Sequence, residues 1–259
     1  MISFKKRTLI NKLKDFYSVS LDELKFVSLL NREDTKFIFH QNHLEQILDE
    51  SKPFYKSLDI NKERIFNYKT IYYDTDHFLF FNQHQNGSKK RFKIRVREYS
   101  NMSDIYFEIK IKNNKNKTIK ERYLINGNIQ NLEKSVKQKT EEIIGFSLDK
   151  LKSKLNVDFS RITLVDKNHS ERLTIDTNLK VKNEKSEINL NSLVIAEIKQ
   201  DRYNPKSNFM KILRKKRIYE TKFSKYCIGL IHINKHLKYN RFKPQLLKLN
   251  QVLETNNKV

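Results

Sequence analysis

One cysteine, four glycines, three prolines and no tryptophan are spread over 259 residues. The single Cys227 excludes a disulfide framework and any metal site built from several cysteines, leaving a reducing compartment as the default. With so little glycine and proline there is no flexible linker, so one domain with helical extensions is expected rather than two separable halves. No apolar run approaches the roughly 18 residues of a membrane span. Met1 to Lys14 is basic but lacks the apolar core of a signal peptide, so no secretion signal is read there and the chain is placed in the cytoplasm.

Acidic residues are also scarce. Against 53 lysines and arginines stand 30 aspartates and glutamates, a formal charge of +23. Nucleic acid, an anionic membrane surface and a phosphate-rich small molecule are the partner classes such an excess allows. Part of it reflects a joint enrichment in Lys, Asn and Ile, the bias of an A/T-rich genome.

What the chain does have is alternation. Lys93-Ile94-Arg95-Val96-Arg97 places cations at odd positions and apolar residues at even ones. Ile105 to Lys112, Thr118 to Tyr123 and Val194 to Lys199 alternate in the same way. A strand has period two, so each segment presents one charged face and one apolar face, and faces this basic imply a bound polyanion.

Strands are expected at Thr35–His40, Arg64–Asp74, Arg91–Tyr99, 104–112, 117–125, Phe159–Asp166, Arg172–Thr177 and Leu193–Gln200, with a turn at Asn86-Gly87 and another over Asn113 to Asn116. Helices are expected over Ile10–Leu30 with a break near Ser18, over Gln41–Ser51, over 130–155 with Gly145 as a break, and through most of the last 50 residues, with Pro244 breaking the tail. The fold class that follows is α+β: a closed antiparallel eight-stranded β-barrel, a tunnel with a charged interior and helices packed outside. Burying that many cations uncompensated costs several kcal/mol per ion, so the interior is expected to be wet, studded with carboxylates such as Glu108 and Glu197, and filled with anion in use.

The motifs fall in a particular order: Arg32-Glu33-Asp34-Thr35-Lys36-Phe37, Thr70-Ile71-Tyr72-Tyr73-Asp74-Thr75, Arg95-Val96-Arg97-Glu98-Tyr99, Phe107-Glu108-Ile109-Lys110, Lys120-Glu121-Arg122, Arg172-Leu173-Thr174-Ile175-Asp176, Ala196-Glu197-Ile198-Lys199 and Phe223-Ser224-Lys225-Tyr226. This series resembles the VTC domain, the polyphosphate polymerase branch of the triphosphate tunnel metalloenzymes. The resemblance divides the chain into an N-terminal helical extension (1–26), a VTC-like domain (27–232) and a C-terminal helical tail (233–259).

That resemblance implies a metal-dependent polyphosphate polymerase that transfers the γ-phosphoryl group of ATP to a growing polyphosphate chain. By motif, Lys36, Arg95, Arg97, Lys110, Lys120, Arg161, Arg172 and Lys225 are the expected phosphate-handling residues, and Glu197 the metal ligand. The cofactor implied is a divalent metal, manganese ahead of magnesium. Glu197 has a second reading as a structural partner of Lys199 or Lys36. ATP and polyphosphate are the expected partners, with no nucleic acid and no membrane span, and a neighbouring membrane protein is left open as an anchor.

The chemistry suits these residue types. Phosphoryl transfer needs phosphates held in line and their charge neutralised, and arginine offers planar paired donors where lysine offers compact charge. Two departures stand out. Glu33 and Asp34 are adjacent and cannot share a strand face, which argues against the triphosphatase and cyclase branches. Phe159-Ser160-Arg161 has phenylalanine where relatives often carry tyrosine. Hydrolysis of triphosphate or short polyphosphate and non-catalytic polyanion sensing remain the competing functions.

Overall fold

Alternating sequence becomes a curled sheet in the computed structural model, which describes residues 4–26, 33–100, 104–114 and 118–254. The expected extension of the first helical region to Leu30, Arg32 of the first motif, Lys115-Asn116 of the expected turn and Lys117 of the strand expected to follow it lie outside the described residues. The strands are β1 (Ser18–Val19), β2 (Glu33–His40), β3 (Tyr55–Leu58), β4 (Phe66–Asp74), β5 (Arg91–Tyr99), β6 (Asp104–Lys112), β7 (Thr118–Ile125), β8 (Lys152–Asp166), β9 (Glu171–Lys182), β10 (Glu187–Leu190) and β11 (Leu193–Gln200). The helices are α1 (Phe4–Lys14), α2 (Leu21–Phe26), α3 (Leu44–Ser51), α4 (Leu79–Gln85), α5 (Lys134–Ile144), α6 (Asn208–Lys215), α7 (Lys225–Ile233) and α8 (Lys243–Glu254).

The main path runs β2-β11-β9-β8-β4-β5-β6-β7, antiparallel throughout, with β3 and β10 joined at the side to β8 and β9. The expected closed barrel is not formed. β2 and β7 end the path and do not pair with each other among the described residues. Period-two patterning fixes which face is charged but not whether the two ends of a sheet meet; closure also requires strand number, tilt and shear to agree. β7 is exposed along most of its length and carries Lys120 and Arg122, the kind of charged edge that resists further pairing. The sheet nevertheless curls strongly. Six strand steps separate β2 from β6, roughly 29 Å if flat, yet the charge of Lys36 on β2 acts on Lys110 on β6.

The apolar faces turn outward under helices. Ile94, Phe107 and Ile109, nearly inaccessible to solvent, pack with Phe80 of α4 and Ile144 of α5. Each such burial contributes about 1.5–3 kcal/mol. Leu13 of α1, Ile47 of α3 and Phe209 of α6 cover the apolar side of β2, β9 and β11. Cys227, Leu230 and Leu249 of α7 and α8 cover Leu155, Val181 and Leu193. Gly229 lets α7 approach closely, since a Cβ there would lie 2.8 Å from Leu155 Cδ2. The charged faces are left on the concave side.

Two helix expectations are corrected. The region expected to be helical over 130–155 breaks at Gly145 as expected, where the left-handed conformation ends α5, but the helix does not resume beyond it: Leu155, Val157 and Phe159 follow strand spacing in β8. Pro244 does not break the tail but sits in the first turn of α8, where its missing N–H costs nothing.

Candidate active site: a basic cleft

A cavity of about 560 Å³ occupies the concave side, and every strand of the main path contributes to its wall. Eleven lysines and arginines line it against four aspartates and glutamates. All nine residues expected from the sequence are brought together there: Lys36 on β2, Arg95 and Arg97 on β5, Lys110 on β6, Lys120 on β7, Arg161 on β8, Arg172 on β9, Glu197 on β11 and Lys225 at the start of α7. For the eight on strands, being on the inward face of antiparallel neighbours is what assembles them, since side chains two residues apart share a face.

Three carboxylates organise most of the cations. Glu108 accepts from Arg95 Nε at 2.5 Å and lies 3.9 Å from Arg97 Nη1 and 3.7 Å from Arg122 Nε. Burial pushes its pKa up, but the arginines outweigh burial and hold it below the usual carboxylate range. Asp176 receives a two-pronged bond from Arg161, at 2.6 and 2.8 Å, and a further ion pair from Lys225. It is 3 % exposed, and although burial works against its charge, Arg161 and Lys225 keep it ionised far down the pH scale. Glu197 lies 2.6 Å from Lys199 Nζ and 3.4 Å from Lys36 Nζ. Burial opposes its charge too, and the two lysines still hold it well below an ordinary glutamate.

The lysines at the other side of the cleft are treated differently. Register places Lys93 opposite Lys110, and Lys110 opposite Lys120. Burial, with Lys93, Lys120 and Lys36 adding repulsion, lowers the Lys110 pKa to about 7. Lys93 is lowered too, chiefly by burial, and donates to Ser224 Oγ at 3.0 Å. Lys199, despite Glu197, is brought down to about 8 by burial.

The sequence around Lys225 explains its placement. Ser224 caps α7 by accepting from the amide of Cys227 at 3.2 Å. Tyr226 donates its hydroxyl to buried Asp74, which also accepts the amides of Thr75, Phe80 and Phe81 and so ties the end of β4 to the start of α4. Lys225 is thereby held over the Phe159 ring, 4.3 Å from its centroid. Phe159 also stacks on Tyr68, with centroids 5.0 Å apart, and the Arg161 guanidinium lies over the Tyr68 ring, 4.9 Å from its centroid.

Several contributors were not nominated from the sequence. Asp176 ends the Arg172 motif and shares a face with Arg172 and Thr174 by strict alternation, a signal that was available. Lys93, Arg122 and Lys199 point the same way as their nominated neighbours, and all three line the cavity.

For a divalent ion the donor set is sparse. Among the described residues no three carboxylate, histidine or cysteine side chains cluster as a metal cage. Glu197, with Asp34 across Lys199, fits an ion that takes only one or two protein carboxylates and completes its shell with water and substrate phosphate. Among the described residues, no helix is long and apolar enough to cross a membrane.

The family model of the VTC domain matches residues 31–234. No curated protein matches the chain. Among solved structures, a proposed adenylyl cyclase from Hippeastrum, described as having a dominant triphosphatase activity, is similar with a TM-score of 0.52 and 14% identity, covering 80% of this chain and 98% of that one. A proposed adenylate cyclase from Bacillus halodurans is similar with a TM-score of 0.45 and 12% identity over 75% of this chain and 95% of that one. At such identities the likeness is one of fold.

Proposed function

Because this chain belongs to the VTC-domain family, we propose that its basic cleft holds ATP and transfers the γ-phosphoryl group to the end of a polyphosphate chain. The observation that carries this reading is the lining itself, eleven cations against four carboxylates around one cavity. Such a surplus suits a ligand that brings several negative charges of its own.

The residues divide the work. Arg95, Arg97 and Arg161, each already oriented by a carboxylate or an aromatic ring, present planar donors to phosphate oxygens. Lys36, Lys110, Lys120, Arg172 and Lys225 supply charge along the row of phosphates. As the bond from the γ-phosphorus to the bridging oxygen of ADP breaks, an oxygen of the acceptor's terminal phosphate bonds to the same phosphorus. The acceptor is already an oxyanion, so no proton must be removed and no general base is assigned. Preorganised cations around the transferring group stabilise its charge without reorganising. Glu197 would hold the divalent ion, manganese ahead of magnesium, which when bound supplies further charge neutralisation at the phosphates.

The test is incubation with γ-labelled ATP and manganese, following label into long chains that a polyphosphatase degrades. Long labelled chains that vanish in both Arg95→Ala and Glu197→Gln are expected. Free phosphate alone would make this a hydrolase, the activity described for the Hippeastrum protein. Tight ATP binding with neither product would make it a sensor.

A further inference from the structure

Four charged side chains on the inward faces of β2 and β11 form a checkerboard. Asp34 and Lys36 are two residues apart on β2, Glu197 and Lys199 two residues apart on β11, and all four line the cleft. The antiparallel register sets Glu197 opposite Lys36 and Lys199 opposite Asp34. Each carboxylate therefore has one lysine across the ladder and another along its own strand, an arrangement that opposite charges favour. The two carboxylates fall on one diagonal.

Lys199 is the better placed of the two cations to serve both. Its Nζ lies 2.6 Å from Glu197 Oε1 and 3.9 Å from Asp34 Oδ1, and its side chain is only 8 % exposed. Lys36 Nζ lies 3.4 Å from the same Glu197 oxygen, and its side chain is more open to solvent. A buried ammonium is thus shared by the two carboxylates that are placed to hold a divalent ion. With two carboxylates against two lysines the quartet carries no net negative charge, and Arg172 stands opposite Lys199 on β9. Two further positive charges there, with Lys199 in place, would set like charges against one another where burial magnifies repulsion.

A lysine is a compact charge on a flexible stem. Its ammonium gives up a buried carboxylate only for another anion within reach, and the cleft is where such an anion enters. We propose that Lys199 is a built-in counter-ion at the Glu197–Asp34 pair: it competes with divalent ions for these two carboxylates, and a polyanion in the cleft draws it off and frees them. The consequence is an order of assembly, in which the protein takes up a divalent ion together with phosphates and not by itself. This rests on the reading of the cleft as a phosphate-binding site with its divalent ion at Glu197, and adds how that site is kept closed to free metal.

The experiment titrates Mn2+ alone, followed by its electron paramagnetic resonance signal, and tripolyphosphate alone, followed by calorimetry, with no turnover measured. The proteins are the full unmodified chain, Lys199→Met, Glu197→Gln, the double variant of these two, and Lys120→Met. Methionine keeps most of the apolar stem of lysine while removing its charge. For Lys199→Met two shifts of opposite sign are expected, Mn2+ binding about tenfold tighter and tripolyphosphate binding about threefold weaker. Adding Glu197→Gln should cancel the gain in Mn2+. Lys120→Met removes the same charge from β7 and should weaken tripolyphosphate while leaving Mn2+ within about twofold. An equal Mn2+ gain in Lys120→Met would mean that the overall charge of the cleft is at work, and would overturn the proposal. So would unchanged Mn2+ affinity in Lys199→Met, or a gain with no loss of tripolyphosphate binding. One outcome needs no variant of Lys199 to fold: Mn2+ binding by the unmodified protein tighter than about 0.1 mM, and lost in Glu197→Gln, would overturn the built-in counter-ion. Failure of tripolyphosphate to bind the unmodified protein would instead overturn the cleft reading, and the proposal with it.

Discussion

Two sides of one cleft handle positive charge in opposite ways. Around Asp176, Glu108 and Glu197 the cations are paired with carboxylates and held, though not fully neutralised: Arg161 and Lys225 by the first, three arginines by the second, two lysines by the third. Around Lys93 and Lys110 no carboxylate comes within ion-pair distance among the described residues, and the pKa of each is lowered mainly by burial. The paired side has its geometry set by ion pairs within the chain itself. The uncompensated side is a debt of repulsion that an anion relieves, so it supplies binding energy where the other supplies geometry.

The comparison is broken most severely by Asp176→Asn. Removing that carboxylate leaves Arg161 and Lys225 facing each other without a counter-charge, and the chain is expected to lose about 3–5 kcal/mol of stability in urea unfolding. Saturating tripolyphosphate should restore part of the loss by taking the carboxylate's place. A loss below about 1 kcal/mol would mean that the carboxylate's ion pairs are solvated and the paired side is not a scaffold.

Lys110→Met sharpens the contrast from the other side. Stability should hold or rise, because a desolvated cation among like charges has been removed, while tripolyphosphate affinity falls about tenfold or more. Parallel loss of stability and affinity would show that Lys110 is structural.

The smallest effect is in protons. Lys110 binds fewer protons folded, with its pKa at about 7, than unfolded near 10.5, so its contribution makes the free protein more stable as pH rises from about 7 toward 10. Lys199, lowered to about 8, acts in the same direction. A bound polyanion favours the charged lysine and raises its pKa. Calorimetry in buffers of different ionisation enthalpy should therefore show an uptake of about half a proton from Lys110 alone at pH 7. Zero or outward proton flow would mean that Lys110 is not the group that meets the anion.

The concave lining was readable in advance because it rests on local rules. Lys93, Arg95 and Arg97 announce their shared face by alternation, and the motif order led to Lys225, which lies on a helix and has no strand period to mark it. Closure could not be read in the same way. Whether β2 meets β7 depends on tilt and shear accumulated over eight strands, and no single segment carries that sum. The break at Gly145 was legible from its sequence, but the helix expected to continue to 155 failed because the leucines beyond it have a spacing that suits either element until Val157 and Phe159 declare a strand. β3, β10 and α4 escaped notice because short elements hold too few residues to show a period. Asp176 was overlooked because alternation shows only that it shares a face with Arg172 and Thr174, and not that it pairs with Arg161 and Lys225 from other elements.

The unpaired ends of the sheet bear on how a long anion, such as the polymer of the proposed function, would reach the cleft. A ring of strands closed by hydrogen bonds admits a polymer only by its tip, like thread through a needle's eye. With β2 and β7 exchanging no ladder bonds among the described residues, the backbone imposes no such topology. For the polyphosphate of the proposed function, ladder hydrogen bonds between β2 and β7 are then no barrier to entry from the side.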